Sequence, residues 1–169
     1  MPYKYKREAL TPDEVTRLVN AYQSPLEKII VWTLLDTGLR VSELSGLTRE
    51  HIDFQRGEIV IAAGQVAPGE KLGGRAVPMT ARVRGLLEPY FAINERFDYS
   101  TRQMERIVRK VGVAAGIRDP VSPQVLRRTF ARDAFERGMF LPTLQKLLGH
   151  DSLSTTANFV GPPADEPPG

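Results

Sequence analysis

Apolar residues at Val15, Leu18, Val19 and Tyr22 recur every three or four positions, the spacing of one helix face. The preceding Thr11-Pro12-Asp13-Glu14 supplies a start for that helix. Thr11 offers a hydroxyl cap, Pro12 suits the first helical position, and Glu14 completes a capping box. A second helix is expected from Pro25. Its stretch Ile29-Ile30-Val31-Trp32-Thr33-Leu34-Leu35 is apolar on every side, the mark of a helix buried in a core. Thr37-Gly38 provides its stop, and a short third helix follows through Val41-Ser42-Glu43-Leu44.

The period then falls from about 3.6 to two. Glu58-Ile59-Val60-Ile61-Ala62 and Arg75-Ala76-Val77-Pro78-Met79 read as strands, and the Gly-rich link between them reads as a hairpin turn or loop. Helical patterning resumes over 80–96, with a bend or break expected near Pro89, and again over 101–115. Ser122-Pro123 opens another helix that runs to about Arg137, ahead of Gly138. A short helix over 142–148 stops at Gly149, and a last one begins near Ser154. The expected fold class is mostly α with a small antiparallel β-sheet (α+β). Residues 161–169 form a Pro/Gly-rich acidic tail with nothing apolar to bury, and the pattern predicts disorder there.

Composition narrows the class. A chain of 169 residues, 41% hydrophobic and 25% charged, fits one globular domain with a sizeable core. Cysteine is absent, which removes disulfides, thiolate catalysis and cysteine–zinc sites. No apolar run approaches the roughly 20 residues of a membrane span, and the start Met1-Pro2-Tyr3-Lys4-Tyr5-Lys6-Arg7 does not lead into a signal sequence. The expected location is therefore cytoplasmic. Net charge is only +3, but residues 101–150 hold ten basic against four acidic side chains. Such a half suggests a polyanionic partner, although a solvated helix face has the same composition.

Some polar residues sit where chemistry is possible. Arg40 follows a helix stop and precedes a helix start, so its guanidinium lies at the core edge beside backbone N–H groups that favour phosphate. Glu43, one turn on, is placed to hold or orient it. Lys71 stands alone among lysines between Lys28 and Lys110, in the hairpin Gly69-Glu70-Lys71-Leu72-Gly73-Gly74-Arg75. Gln124 and Arg127 are three apart on one helix and can face one phosphate. His150, one of two histidines, ends Leu147-Leu148-Gly149-His150. Singly, each has a bland reading: a surface arginine, a solvated lysine, a structural histidine.

Together they do not read singly. Asp36-Thr37-Gly38-Leu39-Arg40-Val41-Ser42-Glu43-Leu44, the Lys71 hairpin, Ser122-Pro123-Gln124-Val125-Leu126-Arg127-Arg128-Thr129-Phe130 and 147–159 resemble, in order, the arginine boxes, lysine hairpin and final segment of a tyrosine recombinase (phage integrase family) catalytic domain. The resemblance runs from Leu10-Thr11 to Val160, and implies that residues 1–160 are that domain without its usual N-terminal DNA-binding partner domain. It also implies DNA strand cleavage and rejoining through a 3′-phosphotyrosine, without cofactor or metal. The partner would be double-stranded DNA, and the full-length protein would act as a homotetramer on it.

The implied roles follow residue by residue. Arg40 and Arg127 would hold the non-bridging phosphate oxygens, for which a planar, permanently charged fork is suited. Lys71 would be the general acid, although it lies one residue nearer the strand arginine than the family's lysine. Gln124 replaces the usual His or Lys and can donate a hydrogen bond but not a proton. His150 completes the set. At the nucleophile position, nine residues beyond His150, stands Phe159. Ser154, Thr155 and Thr156 are short, high-pKa alcohols several residues away, and the last tyrosine is Tyr99. The chain as printed is thus expected not to cleave DNA. An engineered Tyr→Phe change is the preferred reading, and a naturally degenerate DNA-binding or regulatory relative is the alternative.

Overall fold

A computed structural model describes residues 8–62 and 74–161. Eight α-helices and three short strands are present among them. Helix α1 (Pro12–Leu18) begins with the expected capping box, in which Thr11 Oγ1 accepts from the Glu14 N–H and Glu14 Oε1 accepts from the Thr11 N–H. It ends sooner than its pattern suggests. Tyr22 lies beyond the helix and packs on the core from the following turn.

Helix α2 (Pro25–Thr37) is the centre of the molecule, as its apolar circumference predicts. Ile30, Val31 and Leu34 are fully enclosed, and α4, α5 and α6 all pack against it. Its stop is a left-handed Gly38, followed by α3 (Val41–Ser45). A single 3-10 turn at Arg49–His51 then leads into the sheet.

The sheet has the order β1 (Ile52–Asp53), β2 (Glu58–Ile61), β3 (Arg75–Pro78), all antiparallel. Ile59 faces both Ile52 and Val77 across the ladder, and these three side chains bury one side of the sheet. Strand β1 has no alternation to betray it, because it is two residues long. The β2–β3 pairing agrees with a hairpin, but its link, with Lys71, lies outside the described residues, as does the acidic tail beyond residue 161.

Helix α4 (Ala81–Ile93) is one continuous helix and is not broken at Pro89. The expected break is absent because Pro89 and Gly85, the residue four positions earlier, are both exposed. The carbonyl that loses its donor there can meet water. Arg82 fastens α4 to α2: its guanidinium lies 3.5 Å from the Trp32 ring centroid and forks onto both Asp36 oxygens. Helices α5 (Thr101–Ala114), α6 (Pro123–Glu136), α7 (Leu141–Leu148) and α8 (Leu153–Val160) complete the chain. Ala131, Leu144, Leu148, Phe159 and Val160 form a second apolar cluster where α6, α7 and α8 meet.

Candidate active site

Helices α2 and α7 end in the same way. Gly38 (φ +67°) and Gly149 (φ +75°) take left-handed conformations that turn the chain out of each helix. A helix C-terminus leaves carbonyls without intrahelical donors and carries partial negative charge. One side chain meets both ends. Arg127, on α6 and only 2% exposed, donates from Nη1 to the Gly38 carbonyl (2.5 Å) and from Nη2 to the Leu148 carbonyl (2.7 Å). A buried guanidinium needs such acceptors, and these two fix its plane.

A cleft of about 520 Å³ opens beside this arginine. Arg40, Ser42, Arg109, Ser122, Gln124 and Arg127 line it. Arg40 from the α2–α3 turn and Gln124 with Arg127 from one α6 face thus converge on one space. Arg109, on α5, was not among the expected side chains. Its only sequence signal was the excess of basic residues over 101–150.

Glu43 holds Arg40 by its main chain and a second arginine by its side chain. Its carboxylate reaches the Arg40 backbone, where Oε1 accepts from the Arg40 N–H (2.8 Å). Its charge partner is Arg75 of β3, whose Nη1 and Nη2 donate to Oε2 (2.5 Å) and Oε1 (2.7 Å). A bidentate fork on a fully enclosed carboxylate outcompetes an arginine that faces the cleft. Burial by itself pushes the Glu43 carboxyl up. The Arg75 fork, the Arg40 N–H and the field of Arg127 overcome this and hold it below the ordinary carboxylate range.

His150 follows Gly149 and stands at the inner edge of the site. Its Nε2 is 3.4 Å from Arg127 Nη2, a group that can only donate. Nε2 is therefore the acceptor nitrogen, and Nδ1–H donates to Thr156 Oγ1 at 2.9 Å. Thr156 is fully enclosed on α8. Burial pushes the His150 pKa down to about 4, assisted by the cations Arg127, Arg40, Arg75 and Arg128. The imidazole is thus neutral near pH 7.

Phe159 lies 9% exposed in the second apolar cluster and borders His150 and Arg127. Its ring meets the His150 ring edge-on at 5.0 Å between centroids. The guanidinium of Arg128 is 4.5 Å from its centroid and that of Arg127 is 5.6 Å. Arg40, Gln124, Arg127, His150 and position 159 are brought together, whereas Lys71 lies outside the described residues. Arg75 and Thr156 were missed as parts of this arrangement. Among the described residues no group of three or more His, Asp or Glu is placed to hold a metal, and no helix is long and apolar enough to cross a membrane.

Comparison with known proteins agrees with this geometry. Residues 8–162 match the model of the phage integrase family. The chain is 34% identical to tyrosine recombinase XerA of Thermococcus kodakarensis, over 90% of its own length and 57% of that protein. It thus spans a little over half of the curated relatives it matches. A crystal structure of XerA recombinase superposes with a TM-score of 0.79 at 30% identity, covering 92% of this chain and 61% of that one. The Tn1549 transposon integrase in complex with transposon right end DNA shares the fold, with a TM-score of 0.72 at 22% identity, over 93% and 62% of the two chains. The chain belongs to the phage integrase family and carries the catalytic-domain fold of the tyrosine recombinases.

Proposed function

We propose that this chain is the catalytic domain of a site-specific DNA recombinase, built to bind a phosphodiester of double-stranded DNA and disarmed at its nucleophile. The observation that carries the reading is the convergence of Arg40, Gln124 and Arg127 on one cleft, with His150 and position 159 against Arg127. In the armed form, a tyrosine oxygen at position 159 attacks the phosphorus, forming a 3′-phosphotyrosine and releasing the 5′ oxygen. Arg40 and Arg127 neutralise the charge that grows on the non-bridging oxygens. Gln124 donates a hydrogen bond, neutral His150 offers Nε2 as the acceptor for the proton that the attacking tyrosine hydroxyl gives up, and Lys71 supplies the leaving oxygen with its proton. The DNA complex of the Tn1549 integrase supports duplex DNA as the partner. Assembly on DNA as a tetramer and a cytoplasmic location complete the proposal.

Phe159 supports a second reading for the chain as it stands: a domain that binds DNA without cutting it. Its ring fills the site with no oxygen to attack, so phosphate binding survives and covalent chemistry does not. An engineered Tyr→Phe replacement accounts for this more simply than natural degeneration, because the surrounding side chains are assembled. The parent gene decides between the two origins.

The test is Phe159→Tyr, incubated with nicked duplexes of randomised sequence that lose a fragment after cleavage and cannot religate. Covalent protein–DNA adducts surviving denaturation are expected from Phe159→Tyr and not from the printed chain. Absence of adducts, together with unchanged DNA affinity in Arg40→Ala and Arg127→Ala, rejects the recombinase assignment.

A further inference from the structure

Arg75 bonds both the turn that carries Arg40 into the cleft and the α7 end that precedes His150, without lining the cleft itself. Its side chain is 8% exposed. Towards α3 it forks onto Glu43, whose Oε1 in turn accepts the Arg40 N–H. Towards α7 its Nε donates to the Leu147 carbonyl at 2.9 Å. Its guanidinium also lies so close to Gly149 that a Cβ there would stand 3.1 Å from Nη1. The next residue is His150. Three donors of one rigid fork therefore join the turn that carries Arg40 to the turn that carries His150.

We propose that Arg75 is the positioning residue that holds the Arg40 turn, on the cleft, and the His150 turn, behind Arg127, at a fixed separation. The proposal rests on the recombinase reading for its purpose, but not for its geometry. Arg75 touches no cleft surface, so it does not contact a bound phosphate. Its effect passes through Glu43 to Arg40 and through the α7 terminus to His150. Lysine cannot substitute. It keeps the charge, but a single ammonium on a flexible stem cannot reach a bidentate carboxylate and a carbonyl in fixed directions at once.

The test separates position from charge. Histidine ring titration is followed by NMR in the unaltered chain, with His51 as the internal control. The cations facing His150 are Arg127 and Arg128 from α6, Arg40 from the α3 start and Arg75 from β3. Arg75→Lys retains all four charges. If Arg75 positions the turn, loosening it lets water reach His150, and the titration midpoint rises by about one pH unit or more towards the ordinary value. The paired variant Glu43→Gln with Arg75→Gln leaves no unmatched buried charge, so it remains foldable where the lysine variant does not, and it gives the same rise. An unmoved midpoint in these variants, or a rise in an Arg75→Gln single variant that Arg75→Lys abolishes, overturns the proposal. No DNA is present in this measurement. A failure here therefore leaves the covalent-adduct experiment intact, and a failure there leaves this result standing.

Discussion

Replacing Gly38 by alanine tests how the fold builds the site. Gly38 has φ +67°, and a Cβ built on it clashes with the Cδ1–Cε1 edge of the Phe130 ring, 2.7 Å from Cε1. Two separate penalties follow. The left-handed conformation costs an L-residue about 1–2 kcal/mol. Forcing a methyl into a packed ring adds about 1–3 kcal/mol, since Phe130 is wedged between α2 and the α6–α8 cluster. The sum is about 2–5 kcal/mol, a fall in melting temperature of roughly 5–15 °C for a chain of this size. Gly57 provides the control. It has φ +69° with nothing within 4 Å of the imagined Cβ, so Gly57→Ala incurs only the first penalty, about 1–2 kcal/mol. Urea titration followed by circular dichroism measures both. A Gly38→Ala loss no larger than the Gly57→Ala loss refutes the steric argument.

Two further outcomes follow from the charges. Because the folded-state pKa of His150 lies below its unfolded value, the unfolded chain binds more protons between about pH 4 and 6.5, and His150 makes stability fall as pH drops through that window. Urea midpoints at several pH values should show this slope, and His150→Gln should flatten it; equal slopes reject the buried-neutral assignment. Glu43→Ala leaves Arg75 buried without its carboxylate and should cost about 3–5 kcal/mol in the same denaturation assay. A loss below about 1 kcal/mol shows that water reaches Arg75 and that the pair contributes little.

The helices were legible because their signals are local. Thr11, Ser24, Thr80, Ser100, Ser122 and Ser152 each accept the N–H three residues ahead, so a six-residue window contains the start. Arg40, Arg127, His150 and Phe159 were legible through their order and spacing. What escaped is non-local. Glu43 looked like a partner for Arg40, three residues away, but Arg75 lies 32 residues on and wins through a bidentate geometry that only the folded sheet creates. Thr156 was weighed only as an alcohol too short and too high in pKa to replace the nucleophile, and nothing local shows that its Oγ1 bonds His150 Nδ1. Strand β1 exists only because β2 pairs with it, and Pro89 is tolerated only because its surroundings are wet.

Arg127 and Arg75 are anchored on the oxygens of Gly38, Leu147 and Leu148, all of them main-chain atoms. Alanine scanning is blind to such groups, since every amino acid presents the same oxygen. The inherited instruction is conformational: two glycines aim three carbonyls. Reading those contacts experimentally requires altering the polymer itself, for instance by exchanging a single amide for an ester and so weakening the acceptor while leaving every side chain in place.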